Sequence, residues 1–290
     1  MTPAEIRTAR AANHRARARD FTDAHGIPEA ALLAAHVGPD TVHVAAAPDR
    51  LIPLAAALGE ALALTRNDSA VQERQGRYCP HDPVTVTGDG IELHIRPAQW
   101  VHAFAVTERT AKSVKRSVQI FDAAGDAVHK IHLTDDSDVA AFADLVAALR
   151  LPDQPEALPF VPRATPIPDA PDPARTLRRL SPAAMTELLE RAAAGGVSLA
   201  IRVTNPGCAQ VFRGTVARIL PAGYWINVMD PRFNLHLRTD HLATVLLTQA
   251  PDGLTVDAFG PTGEAILSVG AGPDASGWDA LARGLTAETT

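Results

Sequence analysis

The chain has 290 residues, 46% of them hydrophobic, with a mean hydropathy near zero and a net charge of −6 from 27 basic and 33 acidic side chains. That length and balance describe a globular protein of one large or two medium domains, and the negative sign speaks against a nucleic-acid binder. No apolar run nears the ~18 residues that cross a bilayer, no secretory signal is visible, and Cys79 and Cys208 stand alone, which sets aside a disulfide framework and a Cys-pair metal site. Cytoplasm is the natural compartment.

Residues 2–36 read as helical. Thr2-Pro3-Ala4-Glu5 forms a capping box with proline at the first helical position, and His25-Gly26 breaks the run before Pro28 opens the next helix. Arg7, Arg10, Arg15, Arg17 and Arg19 precede a helix-turn-helix-like pattern, but an Ala-rich second helix offers few base-reading side chains, and DNA binding is set aside. Residues 48–63 carry apolar side chains at helical spacing, and residues 63–133 change to short alternating runs between Gly, Pro and Asp, the pattern of strands. A helix is expected over 136–150, with Val139, Phe142, Leu145 and Leu149 along one face. Residues 151–173 hold 8 of the 23 prolines and read as an extended, semi-rigid linker. Ser181 as N-cap and Pro182 at N1 open another helix that closes at Gly195-Gly196. Strands resume over 198–270, and a short helix lies near 277–286.

An internal repeat crosses the linker. Asn67, Gln72 and Gly76 recur as Asn205, Gln210 and Gly214, an offset of 138 residues. Residues 91–106 recur as 233–248, and Phe121 and Gly125 recur as Phe259 and Gly263, again 138 apart. The expected class is therefore α+β by duplication: two antiparallel β-sheet halves with flanking helices. The expected organisation is a first repeat at 1–150, a linker at 151–175 and a second repeat at 176–290. The second copy lacks the counterpart of the helix pair at 17–36, so it is expected to expose a wider groove, or to close it by forming a homodimer.

The stretches ALTRNDSAVQERQGRY, IELHIRPAQW, SVKRSVQIFDAAGDAVHKIHLTDDSDVAAF, NPGCAQVFRGTV and NVMDPRFNLHL resemble, in order, blocks of the haemin-degrading, haem-utilisation family. The resemblance covers most of residues 17–149 and 197–270. It implies two similar antiparallel halves with a haem cleft between them. It also implies sequestering, delivering or, with a reductant, opening the ring of haem, with a haem importer or haem oxygenase as partner. Three family features differ here. The segment that carries the axial histidine after the linker is absent, and no histidine occurs between His132 and His236. Ser268-Val269-Gly270-Ala271-Gly272 stands where the family has a Tyr-Gly-Gln-Arg element, and His94 stands where it has a distal arginine. An alternative is thus a degenerate member that keeps the fold and serves as an interaction or regulatory protein.

Haem needs an axial donor, apolar walls and cations for its propionates. Strand alternation puts Glu92, His94 and Arg96 on one face against Ile91, Leu93 and Ile95, and the second copy repeats this with His236 and Arg238. His94 is the candidate iron ligand, with Arg96 and the basic group Arg109, Lys112, Lys115 and Arg116 as candidate propionate partners and His236 as a further haem contact. The ordinary readings are solvated sheet faces for both histidines and a solvated hairpin for the basic group. His129 reads as a hydrogen-bonded histidine in a buried strand, and His102 and His241 as structural or exposed. His14, His25, His36, His43 and His81 fall on helices or loops. Tyr78 and Tyr224 are the only phenols, and no G-x-S-x-G, P-loop or G-x-G-x-x-G sits in the required setting.

Overall fold

The computed structural model describes residues 1–163, 175–251 and 253–288, so part of the proline-rich linker lies outside the described residues. Three helices come first: α1 (Pro3–Ala12), α2 (Ala18–His25) and α3 (Glu29–Ala34). Thr2 and Glu5 complete the capping box of α1, and Gly26 ends α2 in the left-handed conformation at φ 61°.

The first repeat then runs β1 (Thr41–Val44), α4 (Pro48–Ala56), β2 (Gly59–Arg66), β3 (Ala70–Arg77), β4 (Pro80–Asp82), β5 (Thr85–Val86) and β6 (Glu92–Ile95). It continues with β7 (His102–Arg109), β8 (Val114–Phe121), β9 (Ala127–Ser137) and α5 (Val139–Leu149). The second repeat follows the same order: β10 (Thr176–Leu180), α6 (Ala184–Gly195), β11 (Leu199–Thr204), β12 (Cys208–Gly214), β13 (Ile219–Ala222), β14 (Trp225–Asp230) and β15 (Phe233–Arg238). It closes with β16 (Thr244–Ala250), β17 (Gly253–Phe259), β18 (Ala265–Ala271) and α7 (Trp278–Arg283). No helix of the described residues is long and apolar enough to cross a membrane.

The strands build two nine-stranded sheets. The first has the order β1-β7-β8-β9-β2-β3-β15-β14-β13, and the second β10-β16-β17-β18-β11-β12-β6-β5-β4. Both copies therefore share one strand order, as the repeat predicts. Each sheet takes six strands from its own repeat and three from the other, through antiparallel pairing of β3 with β15 and of β12 with β6.

The repeated asparagines explain how the exchange is held. Asn205 Nδ2 donates to the carbonyls of Arg66 (2.8 Å) and Val128 (2.7 Å), and its Oδ1 accepts from the amides of Gly207 and Cys208 at 2.9 Å each. Asn67 does the same in mirror fashion. Its Nδ2 donates to the carbonyls of Thr204 (3.0 Å) and Ile266 (2.8 Å), and its Oδ1 accepts from Ser69 and Ala70. Each side chain thus satisfies backbone groups of both repeats at their junction, where water cannot. Gln72 and Gln210, the second repeated pair, are fully buried beside it.

The helices complete two cores. Leu51, Ile52 and Ala55 of α4 and Phe142, Leu145 and Leu149 of α5 pack with Ala61, Ile131 and Leu93. Met185 and Leu188 of α6 and Trp278 of α7 pack with Leu199, Val256 and Val269. Several expectations need correction. The helix expected over 48–63 stops at Ala56, because GEALALTR also alternates with period two. Gly59, at φ 70°, turns the chain into β2, which sends Ala61, Ala63 and Thr65 inward. Val139 is 48% exposed and leaves the core face of α5 to the other three. Ser181 is not the N-cap. Its Oγ accepts from the Ala183 amide, and α6 begins after Ala183, while β10 occupies residues expected to lead straight into the helix.

Candidate functional site

The outer faces of the two sheets are equivalent by the repeat but differ in cover. On the first sheet, Phe104, Val106 and Phe121 form a small core with Ala30 and Ala34 of α3, extended by Leu158 and Phe160 from the segment after α5. Glu29 of α3 is 4% exposed and forms an ion pair with Lys130 of β9. Burial works against its charge, yet Lys130 and Arg66 hold the Glu29 carboxyl below the ordinary carboxylate range. This face is closed.

The second sheet has no such cap among the described residues. Helices α6 and α7 lie in the core on its inner side. Its outer side carries two cross-strand rows. One reads Glu92, Val211, Arg202, Ser268, Asp257 across β6, β12, β11, β18 and β17. The next reads Arg213, Ala200, Gly270, Thr255. Small residues make the floor, and Ala209 and Val211, though buried, belong to none of the four hydrophobic cores. A recess of about 110 Å³ opens here, lined by Ala200, Arg202, Val211, Arg213, Thr255 and Ser268 among others.

His94 sits on this same face, opposite Ala209 in the register. Its side chain is 44% exposed, with Nε2 3.4 Å from Glu92 Oε1. The stronger claim on Glu92 comes from Arg213, whose Nε and Nη2 donate to the two carboxylate oxygens at 2.7 and 3.0 Å. Partial burial opposes ionisation of Glu92, but Arg213 outweighs it and keeps the carboxyl below its usual range. The imidazole is consequently loosely held and accessible.

The other predicted site residues are spread over the molecule. Arg96 Nη1 donates to the carbonyls of Asn205 (2.7 Å) and Pro206 (3.3 Å), so its guanidinium secures the end of β6. Arg109, Lys112, Lys115 and Arg116 lie in the β7–β8 hairpin of the first sheet, where Arg109 pairs with Asp40 at 3.0 Å. His236 lies on β15, also in the first sheet, with Nδ1 2.7 Å from Asn227 Oδ1. The structure therefore keeps Arg96 just past the end of the strand that carries His94 but leaves His236 and the basic group on the other sheet. Arg202 and Arg213 went unremarked in the sequence. Their signal was strand alternation, since Ile201 and Val203 point inward and force Arg202 outward.

Four further histidines, His129, His43, His25 and His36, have structural partners. His129 Nδ1 lies 2.9 Å from Thr65 Oγ1 and Nε2 lies 2.8 Å from the Tyr78 hydroxyl, and Thr65 also approaches Cys208 Sγ at 3.3 Å. Burial pushes His129 down to about 3 and the Cys208 thiol up to about 12, and raises the Tyr78 phenol, so all three stay neutral at the sheet junction. His43 proves to be a strand residue, stacked on Phe104 in β1 rather than in a loop. His25 and His36 bond their own helix carbonyls at Phe21 and Leu32.

Comparison with known proteins agrees with this architecture. The haemin-degrading HemS.ChuX domain matches residues 26–149 and again 170–285. The chain is 31% identical to the hemin transport protein HmuS of Yersinia pestis over 83% of its own length and 81% of that protein. It is also 31% identical to the hemin transport protein HemS of Yersinia enterocolitica, over 87% and 84%. Among solved structures, holo-PhuS, a heme-binding protein from Pseudomonas aeruginosa, superposes with a TM-score of 0.87 at 29% identity, covering 99% of this chain and 100% of that one. The heme-degrading enzyme ChuS of Escherichia coli O157:H7 gives 0.85 at 25% identity, covering 98% and 99%. The duplicated sheets, the reciprocal asparagines and these matches together establish that the chain belongs to the haemin-degrading HemS.ChuX-domain family.

Proposed function

We propose that this protein binds haem as cargo on the open outer face of the second sheet, in cytoplasmic haem uptake and iron acquisition. The single observation that carries the reading is the contrast between the faces: one is sealed by α3 and Glu29, the other presents an imidazole, arginines and a small-residue floor without a described helix over it. The residues fit the ligand in kind. A flat floor of Ala200, Ala209, Val211 and Gly270 accepts a planar apolar ring, and His94 offers iron an exposed nitrogen. With a single imidazole and no helix of the described residues over it, the site is more exposed to water than a closed haem pocket. Such a site suits a protein that must release its cargo, whether to a haem oxygenase or after receiving it from an importer. A second copy of the chain closing over the face is part of this reading, and light-scattering mass with and without haemin tests it.

The central experiment titrates the purified protein with haemin. Saturable binding with a Soret shift is expected, and His94→Ala is expected to lose the shift and weaken haemin about tenfold or more. An unchanged Soret position and affinity in the variant removes His94 as the ligand. No saturable binding by either protein favours a scaffold that serves in protein interaction instead. Loss of the Soret band on adding ascorbate separates degradation from carriage.

A further inference from the structure

The two repeats differ at one equivalent cross-strand pair on their outer faces. On the first sheet, Leu64 of β2 pairs in register with Lys130 of β9. At the equivalent place on the second sheet, Arg202 of β11 pairs with Ser268 of β18. The cation has crossed from one member of the cross-strand pair to the other, so both outer faces keep one. On the first sheet that cation is neutralised from within, by Glu29 carried on α3. Among the described residues the second repeat has no counterpart of α3, and the Arg202 side chain makes no ion pair or hydrogen bond. Its neighbours are already engaged. Arg213 holds Glu92 in a two-pronged contact, and Asp257 accepts from the hydroxyls of Thr248 and Thr255.

We propose that Arg202 and the recess around it form a carboxylate subsite, in which a propionate of a tetrapyrrole takes the place that Glu29 occupies on the other sheet. The inference rests on the haem-binding reading and specifies which part of the ligand this chain recognises. The recess of about 110 Å³ suits a carboxylate and its short stem, not a macrocycle. The Ser268 hydroxyl lines the same recess and can donate to a carboxylate oxygen beside the guanidinium. His94 lies on the same face two strands away, roughly 10 Å at the ordinary strand spacing. Small residues fill the floor between them, so one ligand can span imidazole and arginine. Recognition through Arg202 does not require iron. The subsite therefore holds metal-free and metallated porphyrins alike, whereas the His94 contribution appears only with iron.

The test uses haemin, protoporphyrin IX and protoporphyrin IX dimethyl ester against the native chain, Arg202→Gln and His94→Ala, read by absorbance and tryptophan quenching. Arg202→Gln is expected to weaken haemin and protoporphyrin IX equally, about tenfold, and to leave the ester unchanged. The native protein is expected to bind the ester about tenfold more weakly than the free acid, a comparison that needs no variant to fold. His94→Ala is expected to affect haemin alone. Equal affinity of the native protein for acid and ester, or an unaltered haemin affinity in Arg202→Gln, overturns the carboxylate subsite and leaves haem binding standing. Failure of all three porphyrins to bind saturably overturns both.

Discussion

Replacing Asn205 by alanine probes the junction on which the exchanged sheets depend. Asn205 is 8% exposed, and its amide serves four backbone groups: the carbonyls of Arg66 and Val128, the latter also approached by the Cys208 thiol, and the amides of Gly207 and Cys208. Alanine has nothing to offer them, and an unsatisfied buried polar group costs about 1–3 kcal/mol. The carbonyls keep a second lone pair for other donors, so the two orphaned amides dominate. The expected loss is ~3 kcal/mol, a sizeable share of the ~5–15 kcal/mol typical of a folded protein. Urea unfolding followed by far-ultraviolet circular dichroism should show a lower midpoint with an unchanged slope. Asn67→Ala removes the mirror-image set and should cost a comparable amount. The double variant should lose less than the sum, because both side chains brace one interface. A loss below about 1 kcal/mol for Asn205→Ala would refute the idea that these bonds hold the repeats together.

Two further perturbations test the charged and titrating interior. Glu29→Gln keeps the shape of the side chain but leaves Lys130 nearly buried without its counter-charge, and should cost about 3–5 kcal/mol, with Glu29→Gln/Lys130→Met recovering most of it. Because the folded-state pKa of Glu29 is lowered, its share of the stability is present above the ordinary carboxylate value and is lost as pH falls through the lowered one. His129 runs from 6.5 when unfolded to about 3 when folded, so the unfolded chain takes up the proton first. Its contribution is full above pH 6.5 and drains as pH falls toward 3. The stability measured in urea should drop between pH 7.5 and 5, and in His129→Gln that drop should shrink by about 2 kcal/mol; an unaltered drop would show that His129 is protonated in the fold.

The amino-acid sequence by itself determined the duplication, the strand faces and the outward direction of His94. These follow from spacing, because side chains alternate along a strand whatever surrounds it. Ile91, Leu93 and Ile95 are buried and His94 is exposed, as alternation requires. The boundary between α4 and β2 was legible only in part, since LAAALGEALA satisfies both periods and the choice falls to Gly59 and the ladder with β3 and β9. Only the tertiary structure decided which repeat owns which sheet. Nothing in one strand states that β6 will leave its own copy and pair with β12, because backbone hydrogen bonding is indifferent to sequence and the partner is selected by the packing of the whole. That exchange puts His94 on the same face as Arg202, parts it from the 109–116 hairpin, which stays in the first sheet, and carries His236 into that first sheet. Cover was decided at the same level. A missing helix pair can be counted in the sequence, but whether the face beneath it is filled or left open depends on side chains reaching in from elsewhere. Glu29 reaches Lys130 on the first sheet, and no described residue reaches Arg202 on the second.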